Sequence, residues 1–105
     1  MIRIISLIFM ACFVAAAAVP VGQHTIAQKN KTFSAEEITV KKGDSIVFKN
    51  DDDVTHNVFS NSKGNEFNLK AQSPGAEAPI TFKTEGVVEI RCAFHPKMKM
   101  TVTVK

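Results

Sequence analysis

Three metal-binding side chains crowd one short stretch, Cys92-Ala93-Phe94-His95-Pro96-Lys97-Met98. A thiol, an imidazole and a thioether follow one another at three-residue intervals. A second imidazole, His56, stands upstream in Thr55-His56-Asn57-Val58. Two imidazoles, one thiolate and a weak thioether form a donor set suited to a soft or borderline first-row transition metal. Each residue also has a plainer reading. A lone buried cysteine is ordinarily a small core hydrophobe. His56 can be a structural histidine bonded to the turn at Asp51 to Asp53, and His95 a surface one. The spacing favours the joint reading. Ala93 and Phe94 let the chain turn so that Cys92 and His95 face one point, and Pro96 stiffens the loop after His95 by fixing φ.

The elements that must position these donors read as strands. Ile38 and Val40 alternate with polar residues, as do Ile46 and Phe48, Ile80 and Phe82, Val88 and Ile90, and Met100, Val102 and Val104. Thr55 to Ser60 is β-prone, and Phe67 with Leu69 makes a short apolar pair. Gly43-Asp44, Ser73-Pro74-Gly75 and Glu85-Gly86 supply turns. Period-two alternation with turns at short intervals predicts an all-β, antiparallel sandwich or barrel. The best helical candidate is a single turn over Phe33 to Glu37, capped by Ser34. Side chains two apart on a strand share a face. Cys92 then extends the inward row of Val88 and Ile90, His56 that of Val58, and Met98 that of Met100, Val102 and Val104. Met100 is the competing thioether.

The chain has 105 residues and a formal net charge of +3. Its first residues, Met1-Ile2-Arg3, precede an almost wholly apolar run from Ile4 to Val19. That is the layout of a secretory signal peptide. The run is short for a membrane span, which needs roughly 20 apolar residues. Cleavage is expected after Ala27, with Ala18 as the alternative, giving a signal over residues 1–27 and one domain over 28–105. No stable membrane insertion of the mature chain is expected. His24 falls in the removed segment and receives no role. Cys12 lies inside the apolar run, a poor setting for lipid attachment. The mature part then holds one cysteine, so no internal disulfide can tie it together. A core this small needs some such staple, and a metal is one. Lysines are scattered and opposed by Asp51-Asp52-Asp53, with no basic cluster interleaved with aromatics, so nucleic-acid binding is not expected.

Donor softness narrows the metal. Structural zinc takes four strong ligands, commonly several thiolates, and iron–sulfur clusters need more cysteines than one. Copper tolerates a thioether, and Cu(I) favours soft sulfur. One copper ion is the expected cofactor.

These residues resemble the small blue-copper proteins, the cupredoxins of the plastocyanin and azurin group, from about Thr32 to Lys105. Gly43-Asp44, His56-Asn57 and the Cys92 to Met98 stretch carry the resemblance, and the short ligand loop is most similar to that of the amicyanins. The resemblance implies a Greek-key β-sandwich. It also implies Cys92, His56 and His95 as trigonal copper ligands with Met98 axial, and Asn57 as a brace for the ligand loop. It implies a non-enzymatic, monomeric one-electron carrier in the periplasm or another extracytoplasmic space. Donor and acceptor redox proteins would dock near His95. Lys97 and Lys99 either steer an acidic partner or are solvated strand-end charges. A copper carrier or storage protein without redox transfer would use the same ligands. A thiol enzyme built on Cys92 and His95 lacks an evident third, orienting group.

Overall fold

Burial alternates along the longer strands, and their inward positions are mostly apolar. In the computed structural model, residues 22–105 are described. They form nine strands: β1 (Gln23–Lys29), β2 (Thr32–Phe33), β3 (Glu37–Val40), β4 (Ser45–Asn50), β5 (Val58–Ser60), β6 (Phe67–Asn68), β7 (Glu77–Thr81), β8 (Gly86–Cys92) and β9 (His95–Val104). The apolar N-terminal run, with Cys12 and Ala18, lies outside these residues. Among the described residues no helix is long and apolar enough to cross a membrane.

Two sheets are present, ordered β2-β1-β4-β7 and β3-β9-β8-β5-β6. Ile26, Ile46 and Phe48 from the first meet Val58, Val88, Ile90, Met100 and Val102 from the second in one buried core. This is the expected all-β sandwich. Its sheets are mixed rather than purely antiparallel. β1 runs parallel to β4, and β3 parallel to β9. Alternation reports which face of a strand is buried and says nothing of strand direction, so the pattern alone could not show these two pairings. The single helical turn expected over Phe33 to Glu37 does not form. Phe33 is a buried residue of β2, and Ser34 Oγ accepts the backbone N–H of Ala27 at 3.0 Å.

β1 begins ahead of Gln28, the expected start of the domain. Gln23 to Gln28 pair in register with Ser45 to Asn50 of β4. Ile26 and Gln28 are buried, so this strand is an integral part of the first sheet. His24 also gains a contact: its Nε2 lies 3.1 Å from Asp44 Oδ2, which in addition accepts the backbone N–H of Lys41 at 2.9 Å.

The His24 contact, then the Lys41 N–H, lowers the Asp44 carboxyl below its ordinary 3.8. A group whose folded value is depressed stabilises the fold above the unfolded pKa, and that contribution drains away as pH falls through the folded value. Asp44→Asn should therefore flatten the acid limb of the stability curve below about pH 4. Melting temperatures of wild type and variant across that range check this; parallel acid limbs would refute it.

Candidate metal centre

Cys92 and His95 are brought together by a tight hairpin. β8 ends at Cys92 and β9 starts at His95, with only Ala93 and Phe94 between, and the two residues face each other across the strands. Directly opposed residues on an antiparallel pair project to one face. The ligand stretch is thus mostly strand rather than loop.

The register then breaks. Arg91 pairs with Lys99, whereas Cys92 pairs with His95, so Pro96, Lys97 and Met98 form an irregularity on β9. Proline has no N–H to donate to a ladder and is tolerated at bulges. The insertion matters because its length is odd. In an uninterrupted strand His95 would share the outward parity of Lys97 and Lys99, and a three-residue insertion reverses that parity. His95 can then face Cys92 while Met98 remains on the inward row of Met100 and Val102, all three buried.

His56 arrives from the second side of the site. It precedes β5 and is held by an isolated bridge to Gln72, with backbone hydrogen bonds of 3.1 and 2.7 Å. The regular strand begins only at Val58, yet His56 keeps the inward parity read from Thr55 to Ser60 and is fully buried. Its Nδ1 lies 3.6 Å from Cys92 Sγ, and His95 Nδ1 lies 3.7 Å from the same sulfur. The three donor atoms all sit within 4.8 Å of one another. The two imidazoles meet edge to face, centroids 4.9 Å apart. On its other nitrogen, His56 Nε2 is 2.9 Å from Asp52 Oδ2. One ring nitrogen of His56 thus faces Cys92 and the other the carboxylate of Asp52. The Lys31 backbone N–H, and after it the His56 imidazole, keep the Asp52 carboxyl well below the usual carboxylate range.

Asn57 braces the ligand hairpin, but through its backbone. Its N–H points at Cys92 Sγ at 3.3 Å and its carbonyl accepts the N–H of Ala93 at 3.0 Å. The side-chain amide instead donates to Asn68 Oδ1 at 3.1 Å. Of the four residues read as ligands, the structure brings together His56, Cys92 and His95, with Met98 buried three residues beyond. Within the turn at Asp51 to Asp53, read as a possible partner of His56, Asp52 is the residue that makes the contact; nothing in the sequence marks Gln72.

The donor chemistry decides what can bind. Two imidazole Nδ1 atoms and one sulfur converge, with no carboxylate among them. Hard cations demand oxygen ligands, so this group suits a softer metal. Residues 2–104 match the cupredoxin-like domain family. The chain belongs to the cupredoxin-like family. Its histidine, cysteine and histidine group could hold one copper ion.

Among solved structures, this cupredoxin is similar to a purple cupredoxin from Nitrosopumilus maritimus, with 26% identity and a TM-score of 0.70 over 78% of this chain and 99% of that one. It is also similar to a reduced amicyanin variant, with 29% identity and a TM-score of 0.71 over 87% of this chain and 90% of that one. A copper-containing nitrite reductase from Thermus scotoductus matches at 23% identity and a TM-score of 0.74, over 88% of this chain and 24% of that one. That last likeness is one of fold alone. No curated protein matches the sequence.

Burial does not separate the two candidate thioethers, since Met98 and Met100 are equally buried at 2% exposure. Register does separate them. Met100 is in the regular ladder opposite Ile90, whereas Met98 falls in the irregular segment beside His95.

Proposed function

We propose that this cupredoxin is an exported, monomeric one-electron carrier whose copper is held by His56, Cys92, His95 and Met98. The observation that carries the reading is the convergence of two imidazole Nδ1 atoms on one buried sulfur at 3.6 and 3.7 Å. Bound there, copper would supply a one-electron Cu(II)/Cu(I) couple. The chain's own part is to keep the donors fixed. The Cys92–His95 hairpin, the His56–Gln72 bridge and the Asn57 N–H leave little freedom for ligands to move between oxidation states.

His95 is the proposed path for electrons. It is half-buried, and Ala93, Phe94 and Pro96 around it are exposed. Phe94, at 56% exposure, is the exposed aromatic ring of this patch. A small apolar patch around a ligand edge fits brief docking by donor and acceptor redox proteins. Lys97 and Lys99, both exposed, are placed to steer acidic partners. Deep burial of His56 and Cys92 favours retention of the metal over handover, which supports a carrier of electrons above a carrier of copper. The test is the Cu(II)-loaded protein. An intense thiolate-to-copper visible band with a matching EPR signal is expected, and a folded, copper-loaded protein without that band would sink the proposal.

Met98 as the axial donor makes a separable prediction. Leucine for methionine is close to volume-conserving and should cost less than about 1.5 kcal/mol at either position. Met98→Leu should shift the visible spectrum and raise the reduction potential, because a donor is lost. Met100→Leu should leave both near wild type. The reverse pattern would assign the axial sulfur to Met100.

For export, the strand β1 supports cleavage at Ala18 rather than Ala27. A cut after Ala27 would remove the residues that pair with Ser45 to Lys49, together with buried Ile26. The mature protein should begin at Val19. Intact-mass measurement of the exported protein decides this, and an N-terminus at Gln28 would overturn it.

A further inference from the structure

Asp52 lies outside the donor set, yet its contacts converge on it. Its Oδ2 is 2.9 Å from His56 Nε2 and accepts the backbone N–H of Lys31 at 2.8 Å. Its Oδ1 accepts the N–H of Asp53 at 3.0 Å, and its own N–H donates to Asn50 Oδ1 at 2.9 Å. Asn50 is fully buried, and its amide donates to the carbonyls of Val54 and Gln72 at 2.9 and 2.8 Å. Gln72 is the residue that bridges His56. The Asp52 side chain is only 7% exposed and that of His56 is wholly enclosed. The carboxylate is therefore fixed from several directions.

A carboxylate accepts hydrogen bonds and cannot donate them. Placed against His56 Nε2, it demands the proton on that nitrogen. The Nδ1 atom, aimed at Cys92, is then left with a free lone pair. The opposite tautomer would put a proton where a metal must bind. Lys31 adds a second constraint. It belongs to the turn joining β1 to β2, where Asn30 and Lys31 both adopt positive φ, 52° and 57°. One carboxylate oxygen thus ties that turn, at the edge of the first sheet, to a ligand leading into the second.

We propose that Asp52 is a positioning residue that sets the tautomer and ring orientation of His56 and, by its buried negative charge, favours Cu(II) over Cu(I). The effect on copper rests on the blue-copper reading above; the effect on the tautomer does not.

Asp52→Asn preserves shape but replaces an obligate acceptor with an amide that can present either end. Outer contacts of this kind change metal affinity by about 10- to 100-fold. Cu(II) affinity should fall within that range, and Cu(I) affinity should fall less. The potential should rise, each tenfold difference between the two states corresponding to about 59 mV for one electron. A folded variant with unchanged potential and unchanged Cu(II) affinity overturns the proposal, even if its apo form melts earlier, because a merely structural role predicts that pattern. A second measurement needs no variant. Nitrogen-15 NMR of the His56 ring in the metal-free wild-type protein should show the proton on Nε2, and a proton on Nδ1 overturns the proposal. A wild type lacking the thiolate band would sink the copper reading alone, with the NMR result still deciding whether Asp52 sets the tautomer.

Discussion

Cys92→Ser should abolish the thiolate-to-copper band and weaken copper binding by more than about 100-fold, since changes outside the ligand set already cost about 10- to 100-fold. The reason is chemical. A thiol with an ordinary pKa of about 8.5 becomes a thiolate readily under a metal. A serine hydroxyl does not, and its oxygen is a harder donor. The fold should persist without the sulfur. Cys92 is buried at 2% exposure, but His56 Nδ1 and His95 Nδ1 stand beside it as partners for a hydroxyl, and the Asn57 N–H stands ready to donate. A hydroxyl buried with partners should cost the apo protein no more than about 1–2 kcal/mol. Visible spectra, competition for copper and apo thermal melts on the same sample separate loss of the ligand from loss of the fold. A variant that keeps the band would place the sulfur donor elsewhere.

Phe48→Ala should destabilise the apo protein by about 3–5 kcal/mol, the range for deleting a buried aromatic ring. Phe48 is fully enclosed on β4, the strand that β1 and β7 flank. Its ring stacks on Phe67 with centroids 5.7 Å apart, and Phe67 meets Phe82 edge to face at 6.3 Å. Three phenylalanines thus form a continuous layer between the sheets, and few small side chains are free to fill the hole. For a domain of this size such a loss is a large share of a total near 5–15 kcal/mol. The Phe48 backbone is also tied to the candidate site. The Phe48 carbonyl accepts the Gln72 amide at 2.8 Å, and Gln72 bridges His56. Urea unfolding of apo and copper-loaded protein measures both effects. Copper should restore part of the stability by binding the folded state. A loss below about 1 kcal/mol would mean that the core closes over the gap.

The fold class was legible because period-two alternation is local. Burial along β4, β8 and β9 alternates with the largely apolar inward rows, which placed Cys92 and Met98 on the buried face. His56 was placed the same way, although its regular strand starts two residues later. The buried polar residues Gln28, Asn50 and Gln72 were not legible. A hydrophobic pattern reads them as surface, and what satisfies them is one another: Gln28 donates to Gln72 Oε1 at 2.9 Å, and Asn50 to the Gln72 carbonyl. His24 was assigned no role because it was placed in the removed segment; its contact with Asp44, 20 positions away, emerges only in the fold.

By itself the sequence determined the kinds of donor, their spacing, the all-β class and the face on which Cys92, His56 and Met98 lie. These follow from side-chain chemistry and from the two-residue repeat of a strand, both of which act over a few neighbours. Only the tertiary structure decided that β1 and β3 pair in parallel, that an irregular Pro96 to Met98 turns His95 toward Cys92, and that Asp52 bonds the far nitrogen of His56. The parallel pairings depend on which distant backbone groups meet, and the other two on how the chain turns at Asp52 and at Pro96; residue pattern along one strand carries no record of either.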